Sequence, residues 1–248
     1  MRCFLLLITL GLCLSPVLCQ TEKPQSPAAA APVSGKPSVH NGDAPDLLHE
    51  TQIGIDTPGY TGIVWFIPFD FWIQSGANRG RSEAEMEKAM ASLKQYTPVF
   101  IFVAKVSELG SFDYVPPEQL AKKVLIRDAK GNDYPVATSI SDDAKILAST
   151  IKPILGNAMG KAGENSALLF FPAKDKDSHP IADPKSSGTF SVVLKDLVGR
   201  EEDIYTWNFP LTSVSQPKYC PVGKEQVNAN WKYCPWHGVA LTGDSISK

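Results

Sequence analysis

The chain has 248 residues, with 24 Lys and Arg against 26 Asp and Glu, and therefore a formal net charge of −2. Residues of opposite charge are interspersed, so the sequence offers no basic surface for a polyanion and argues against nucleic-acid binding. Hydrophobic residues make up 43% of the chain, which is ordinary for one globular domain with a small appendage.

Residues 1–19 have the layout of a secretory signal peptide. Arg2 precedes an apolar run from Phe4 to Leu14, and Pro16 breaks this run before Cys19. The run is about half as long as a membrane-spanning helix. We therefore predict an exported protein that is periplasmic, tethered to the outer membrane or extracellular. The alternative to simple cleavage after Cys19 is a lipoprotein in which Cys19 carries the lipid.

The remainder of the chain divides by composition into three segments. Residues 20–46 are rich in Pro, Ala, Ser and Gly and contain few large apolar side chains, which is typical of a flexible spacer. Residues 47–214 are predicted to form a β-rich globular domain, and residues 215–248 a small tail.

The globular domain begins with a strand and a helix in the prediction. Aromatic and β-branched residues favour a strand over residues 63–73, with Pro68 at an edge position or a bulge. Ser82 and Glu85 form a capping-box pattern, which begins a helix expected to reach Tyr96.

The later elements are predicted from alternation, turn residues and helical spacing. They comprise a central strand, a hairpin, a second helix and three more strands. In chain order these are Pro98–Val106, the hairpin over 124–136, the helix that begins at Ser141 and contains Pro153, and the strands around Ala167, Thr189 and Ile204. Because strands and helices do not alternate regularly, we predict an α+β fold: an antiparallel, sandwich-like sheet with two helices.

The sequence contains no complete catalytic constellation. It lacks a Gly-x-Ser-x-Gly motif and a phosphate-binding loop, and its histidines are His40, His49, His179 and His237. Asp175, Asp177, His179 and Asp183 resemble a calcium loop, but Pro180 replaces the required glycine, so we predict a solvated loop. We predict a protein that is not an enzyme.

The tail repeats Lys-Tyr-Cys-Pro at residues 218–221 and 232–235. This repeat resembles the zinc-ribbon family, whose two knuckles each read Cys-Pro-x-Cys-Gly. The resemblance implies zinc bound by Cys220, Cys234 and His237, with His237 in the place of the second cysteine. The first knuckle is interpreted as one residue short and without its second ligand. Water, Glu225 or His179 are the candidates for the fourth position.

Two alternatives to a structural zinc site remain open. Cys220 and Cys234 are compatible with a disulfide, which can persist in an oxidising compartment. Closing the loop between them would stabilise the folded state by about 3 kcal/mol. A zinc-dependent hydrolase would use Cys220, Cys234 and His237 with an open fourth position.

The leading hypothesis is an exported interaction or structural protein of the bacterial cell envelope, with an unidentified envelope protein as partner. The combination of export signal, spacer and hairpin-rich sheet resembles immunoglobulin-like accessory domains of bacterial envelope proteins in its layout. A further alternative is a ligand-binding protein that uses the aromatic strand over residues 63–73, which requires Trp65 and Trp72 to be exposed.

Overall fold

A computed structural model describes most of the chain after the predicted spacer. The predicted signal peptide and spacer, residues 1–19 and 20–46, lie outside the described residues. The described residues are 47–77, 79–215, 218–227 and 231–241.

The first sheet is antiparallel and is built around one long strand. Its strands are β1 (Gln52–Ile55), β2 (Tyr60–Phe66), β3 (Tyr96–Val106) and β4 (Phe112–Tyr114) in that order, and a later strand, Ala167–Pro172, also pairs with β3. The first half of β3 pairs with this later strand and its end pairs with β4, whereas β2 covers the opposite edge. The central position predicted for this strand is confirmed.

The second sheet contains the predicted hairpin. Its first two strands, β5 (Val124–Arg127) and β6 (Asp133–Pro135), pair around a turn in which Gly131 has a φ of 86°. The strand that pairs with β3 in the first sheet is β7 (Ala167–Pro172), and the second sheet is completed by β8 (Gly188–Lys195) and β9 (Glu202–Phe209), in the order β6–β5–β8–β9. The hairpin and the three later strands are confirmed.

The main hydrophobic core lies between the two sheets. Phe66 of β2 contacts Phe190 of β8 and Phe209 of β9, with ring centroids 4.7 and 5.9 Å apart. Buried residues from both sheets form one continuous cluster, which is the arrangement of a sandwich. The predicted α+β, antiparallel, sandwich-like fold is confirmed.

The described residues form six α-helices, and two of them, the second and the fifth, cover the other face of the first sheet. The helices are α1 (Leu47–Thr51), α2 (Phe69–Ala77), α3 (Glu83–Ala89), α4 (Pro117–Lys123), α5 (Asp142–Met159) and α6 (Lys161–Glu164). Trp72 of α2 and Leu155 of α5 pack against Trp65 and Phe100, whose side chains point away from the inter-sheet core. The domain therefore has three layers: helices, first sheet and second sheet.

The predicted strand over residues 63–73 is wrong in its second half. Strand β2 ends at Phe66, and Phe69–Ala77 is helical. Pro68 marks the change. Before it, side chains alternate between the two faces of the sheet, with Phe66 in the inter-sheet core and Trp65 on the helix side, whereas Phe69 and Trp72 after it lie three positions apart on a helix. The edge position is also wrong, since β2 lies between β1 and β3.

The first predicted helix is confirmed at its start and wrong at its end. The Ser82 hydroxyl accepts a bond from the Glu85 backbone N–H, and the Glu85 carboxylate accepts one from the Ser82 N–H. The helix ends at Ala89, and Tyr96 already belongs to β3. Pairing of Tyr96 with Pro172 and its edge-to-face contact with Phe170 override helical propensity there.

The second predicted helix is confirmed. It follows Ser141, whose side chain accepts a hydrogen bond from the Ala144 N–H, and it runs through Pro153 to Met159. Among the helices within the described ranges, none combines the length and the apolar character needed to cross a bilayer.

Candidate metal centre

The C-terminal segment forms two short hairpins that each present a cysteine. In the first, β10 (Lys218–Tyr219) pairs with β11 (Gln226–Val227). In the second, Tyr233 forms a bridge with Ala240. Cys220 and Cys234 each lie directly after the first side of their hairpin, at the start of a tight turn. We call these two turns, residues 220–225 and 234–239, the first and second knuckle.

Both knuckles have the same backbone hydrogen bonds. Within the first, the Cys220 N–H donates to the Glu225 carbonyl at 3.0 Å and the Lys224 N–H donates to the Cys220 carbonyl at 2.9 Å. The corresponding bonds of the second knuckle, from Cys234 to Val239 and from Gly238 to Cys234, are both 2.8 Å. The two turns therefore correspond residue by residue.

This correspondence corrects one feature of the predicted site. The first knuckle is not one residue short: it has the same length as the second, with Gly223 at the position of His237 and Lys224 at the position of Gly238. Lys224 and Gly238 adopt the same left-handed conformation, with φ values of 62° and 65°. The interpretation that the first knuckle lacks its second ligand is retained, because Gly223 has no side chain to offer.

The two hairpins bring the three predicted ligands together. His237 Nδ1 lies 3.3 Å from Cys220 Sγ and 3.4 Å from Cys234 Sγ. The Glu225 carboxylate joins them, with Oε1 3.4 Å from His237 Nδ1 and 3.6 Å from Cys234 Sγ. All four ligand atoms lie within 4.8 Å of one another.

These separations match those of a tetrahedral zinc site. Zinc binds sulfur at about 2.3 Å and nitrogen or oxygen at about 2.0–2.2 Å. In a regular tetrahedron, these bond lengths place a sulfur about 3.6 Å from a neighbouring nitrogen or oxygen, and a nitrogen about 3.4 Å from an oxygen. The donor set of two thiolates, one imidazole and one carboxylate also suits zinc.

The sulfur atoms are buried and hydrogen-bonded to the backbone. Cys220 and Cys234 are 0% and 1% exposed and are free thiols in the structure. Burial raises the pKa of the Cys234 thiol, although backbone N–H groups of His237 and Trp236 donate to the sulfur and act in the opposite direction. The Gly223 N–H donates to Cys220 Sγ at 3.3 Å. Such bonds stabilise the negative charge of a thiolate that binds a metal.

The Glu225 carboxylate is directed into the cluster. A hydrogen bond from its own backbone N–H lowers the pKa of the carboxyl, and hydrogen bonds with Cys234 and Cys220 and the proximity of His237 lower it further. An ionised carboxylate is the form that binds a metal. Sequence reasoning named Glu225 as one of three candidates for the fourth position, and its place at the end of the first knuckle was the only signal for it.

The other predicted cluster forms an ordinary loop. The Asp175 carboxylate accepts bonds from the backbone N–H groups of Asp177 and His179, at 2.9 and 2.8 Å, and Ser178 between them has a φ of 65°. These bonds are typical of a side chain that stabilises a turn. His179 therefore lies in a different cluster from Cys220 and Cys234.

The aromatic side chains proposed for ligand binding are buried. Trp65 and Trp72 are 8% and 9% exposed, and the Trp65 Nε1–H donates to Thr51 Oγ1 at 3.0 Å. A binding site on this strand requires exposed rings, so the geometry gives that alternative no support.

Comparisons with protein-family models, with curated proteins and with solved structures found no match to this chain. The resemblances to zinc ribbons and to immunoglobulin-like domains therefore stay predictions.

Proposed function

We propose that residues 218–241 form a structural zinc-binding module at the C-terminal end of an exported, non-enzymatic protein of the bacterial cell envelope. The observation that carries this proposal is the convergence of Cys220, Cys234 and His237 from two matching knuckles, at separations typical of zinc ligands.

A structural role fits the small size of this module's core. Among its described residues, Cys220, Val227 and Cys234 are buried, with Val239 and Leu241 partly buried against them. So little apolar surface cannot offset the entropy of ordering two hairpins. Zinc binding supplies folding free energy to modules of this kind. A zinc ion that serves catalysis would instead be expected in a site that is already folded in the absence of the metal.

The surface of the module supports a role in interaction. Several of its large apolar side chains are exposed, and the rings of Trp231 and Trp236 lie edge to face with centroids 5.8 Å apart. Exposed aromatic groups are enriched where proteins bind partners. The exposed side chains are Val222, Trp231, Tyr233 and Trp236. An envelope protein is the partner that we propose for this surface.

The proposed location in the cell envelope depends on the predicted export signal. The signal-like residues 1–19 and the spacer over 20–46 would place the sandwich domain at a distance from the membrane. Lipidation of Cys19 is the alternative that would keep the protein attached, and mass spectrometry of the mature N-terminus distinguishes the two.

Substitution of His237 tests the structural role. Because His237→Ala removes one ligand, we expect loss of bound zinc, easier alkylation of Cys220 and Cys234, and a lower melting temperature of the module. His49→Ala, a matched change outside the module, should leave zinc content unchanged. Full zinc content in the His237→Ala variant would overturn the proposal. Loss of a hydrolytic activity with no change in melting temperature would favour the alternative zinc-dependent hydrolase.

A further inference from the structure

The first knuckle has a glycine where the second has a zinc-ligand candidate. Gly223 corresponds to His237, but its φ lies outside the left-handed region that would require glycine. Backbone conformation therefore does not explain the missing side chain. The space around Gly223 offers a different explanation.

The Glu225 carboxylate fills the space that a side chain at position 223 would need. A Cβ atom built on Gly223 would overlap Glu225 Oε2 and come within 2.8 Å of Oε1. A side chain at 223 and the observed position of Glu225 thus exclude each other. In the second knuckle, Val239 stands at the position of Glu225 and packs into the small core beside the cysteines.

From this exclusion we propose that Glu225 is the fourth zinc ligand and replaces the ligand that position 223 no longer carries. This inference rests on the proposed zinc site. It is supported by the approach of Glu225 Oε1 to His237 Nδ1 and Cys234 Sγ, at 3.4 and 3.6 Å. Glutamate oxygen is an established zinc ligand at about 2.0–2.2 Å.

A fourth protein ligand has a chemical consequence. Catalytic zinc sites keep one position for water or substrate, whereas four protein ligands close the coordination sphere. With Cys220, Glu225, Cys234 and His237 bound, no position remains for a hydrolytic water. The inference therefore separates the structural site from the hydrolase alternative.

Cobalt substitution tests the role of Glu225 directly, because tetrahedral Co²⁺ bound to thiolates absorbs in the visible range. We expect the mature chain to bind Co²⁺ with a tetrahedral spectrum. Glu225→Gln should weaken Co²⁺ and Zn²⁺ binding at least about tenfold, since even the loss of an outer-shell partner commonly costs about 10–100-fold. It should also alter the ligand-field bands. Glu118→Gln makes the same chemical change at an exposed position in α4 and should alter neither.

A ligand exchange provides the complementary test. Gly223→His in a Glu225→Ala background places an imidazole at the position that corresponds to His237. We expect this double variant to recover most of the affinity that Glu225→Ala loses. Gly223→His alone should disturb the site, because the new side chain and Glu225 compete for one space.

The outcomes separate this inference from the proposed function. If Glu225→Gln changes neither the tetrahedral spectrum nor the metal affinity, Glu225 is not the fourth ligand. The zinc module would then stand, and the role of Glu225 would be overturned. Failure of the unmodified chain to bind either metal after reduction of its thiols would overturn both. Weaker metal binding by Glu225→Gln, together with recovered affinity in the Gly223→His/Glu225→Ala double variant, supports both the zinc module and the role of Glu225 as a ligand.

Discussion

At the scale of single residues, the two knuckles allow a comparison of lysine and glycine in one backbone conformation. Lys224 and Gly238 occupy corresponding positions, both with positive φ. A side chain raises the free energy of this conformation, whereas glycine adopts it without steric conflict. Space is not limiting, because no atom lies within 4 Å of a Cβ atom built on Gly238. The free-energy difference between a side chain and glycine at position 238 therefore comes from backbone conformation and not from steric overlap with neighbouring residues.

The first prediction concerns this pair of residues. Lys224→Gly should stabilise the module by about 0.5–1 kcal/mol, and Gly238→Ala should destabilise it by a similar amount. Because folding and zinc binding are coupled in such modules, the apparent zinc dissociation constant, measured by competition with a chelator, should fall in the first variant and rise in the second by about two- to fivefold. Opposite or absent shifts would contradict the correspondence of the two knuckles.

A second prediction at this scale concerns acid stability of the hairpin β5–β6. Arg127 forms two hydrogen bonds with the Asp133 carboxylate, at 2.6 and 2.9 Å, and these bonds lower the pKa of Asp133 below its ordinary value. A lowered pKa in the folded state means that the ionised form stabilises the fold above the unfolded-state pKa of about 3.9. That contribution disappears as the pH falls through the folded-state pKa.

Asp133→Asn removes this titration. We expect the variant to be less stable than the unmodified chain at neutral pH, and its free energy of unfolding to fall less steeply below about pH 4. Urea unfolding at a series of pH values measures both effects. If the free energy of unfolding falls equally with pH for both proteins over the acid range, the pair of Arg127 and Asp133 contributes no pH dependence to stability.

At the scale of elements, α5 depends on the cap at its N-terminus. Ser141 accepts a hydrogen bond from the Ala144 N–H, and its own N–H donates to the Tyr96 hydroxyl at 2.9 Å, which connects the helix to β3. Ser141→Ala removes the first bond and keeps the second. It should therefore cost about 1 kcal/mol of stability. Ser149→Ala, in the exposed middle of the same helix, should stay within about 0.5 kcal/mol; equal losses would contradict the capping role.

Elements with a local signal were predictable, and those decided by distant contacts were not. The Ser82 and Ser141 caps and the turn at Gly131 depend on residues a few positions away. The end of β2 at Phe66, which pairs with Val99, and the extension of β3 back to Tyr96, which pairs with Pro172, depend on sheet partners far along the chain. An aromatic run such as residues 63–73 has high strand propensity throughout, so propensity alone could not locate its change into a helix.

At the scale of the whole molecule, the chain combines a domain that has a large core with a module whose described residues form a very small one. The core between the sheets unites residues of both sheets, from Ile55 of β1 to Phe209 of β9. In the part of the C-terminal module that the structure describes, the buried side chains are those of Cys220, Val227 and Cys234. The doubled Cys-Pro pattern sufficed to predict Cys220, Cys234 and His237 as a site. The equal length of the two knuckles became apparent only from their backbone hydrogen bonds, and the approach of the Glu225 carboxylate only from the positions of the folded side chains.

Native mass spectrometry of the mature protein, purified without chelators, tests the zinc module most directly. The zinc module predicts a folded mass that includes one Zn²⁺, with Cys220 and Cys234 resistant to alkylation until the metal is removed and reactive afterwards. A metal-free mass that is lower by two hydrogen atoms, with neither cysteine open to alkylation without a reductant, would establish the Cys220–Cys234 disulfide and contradict the zinc module.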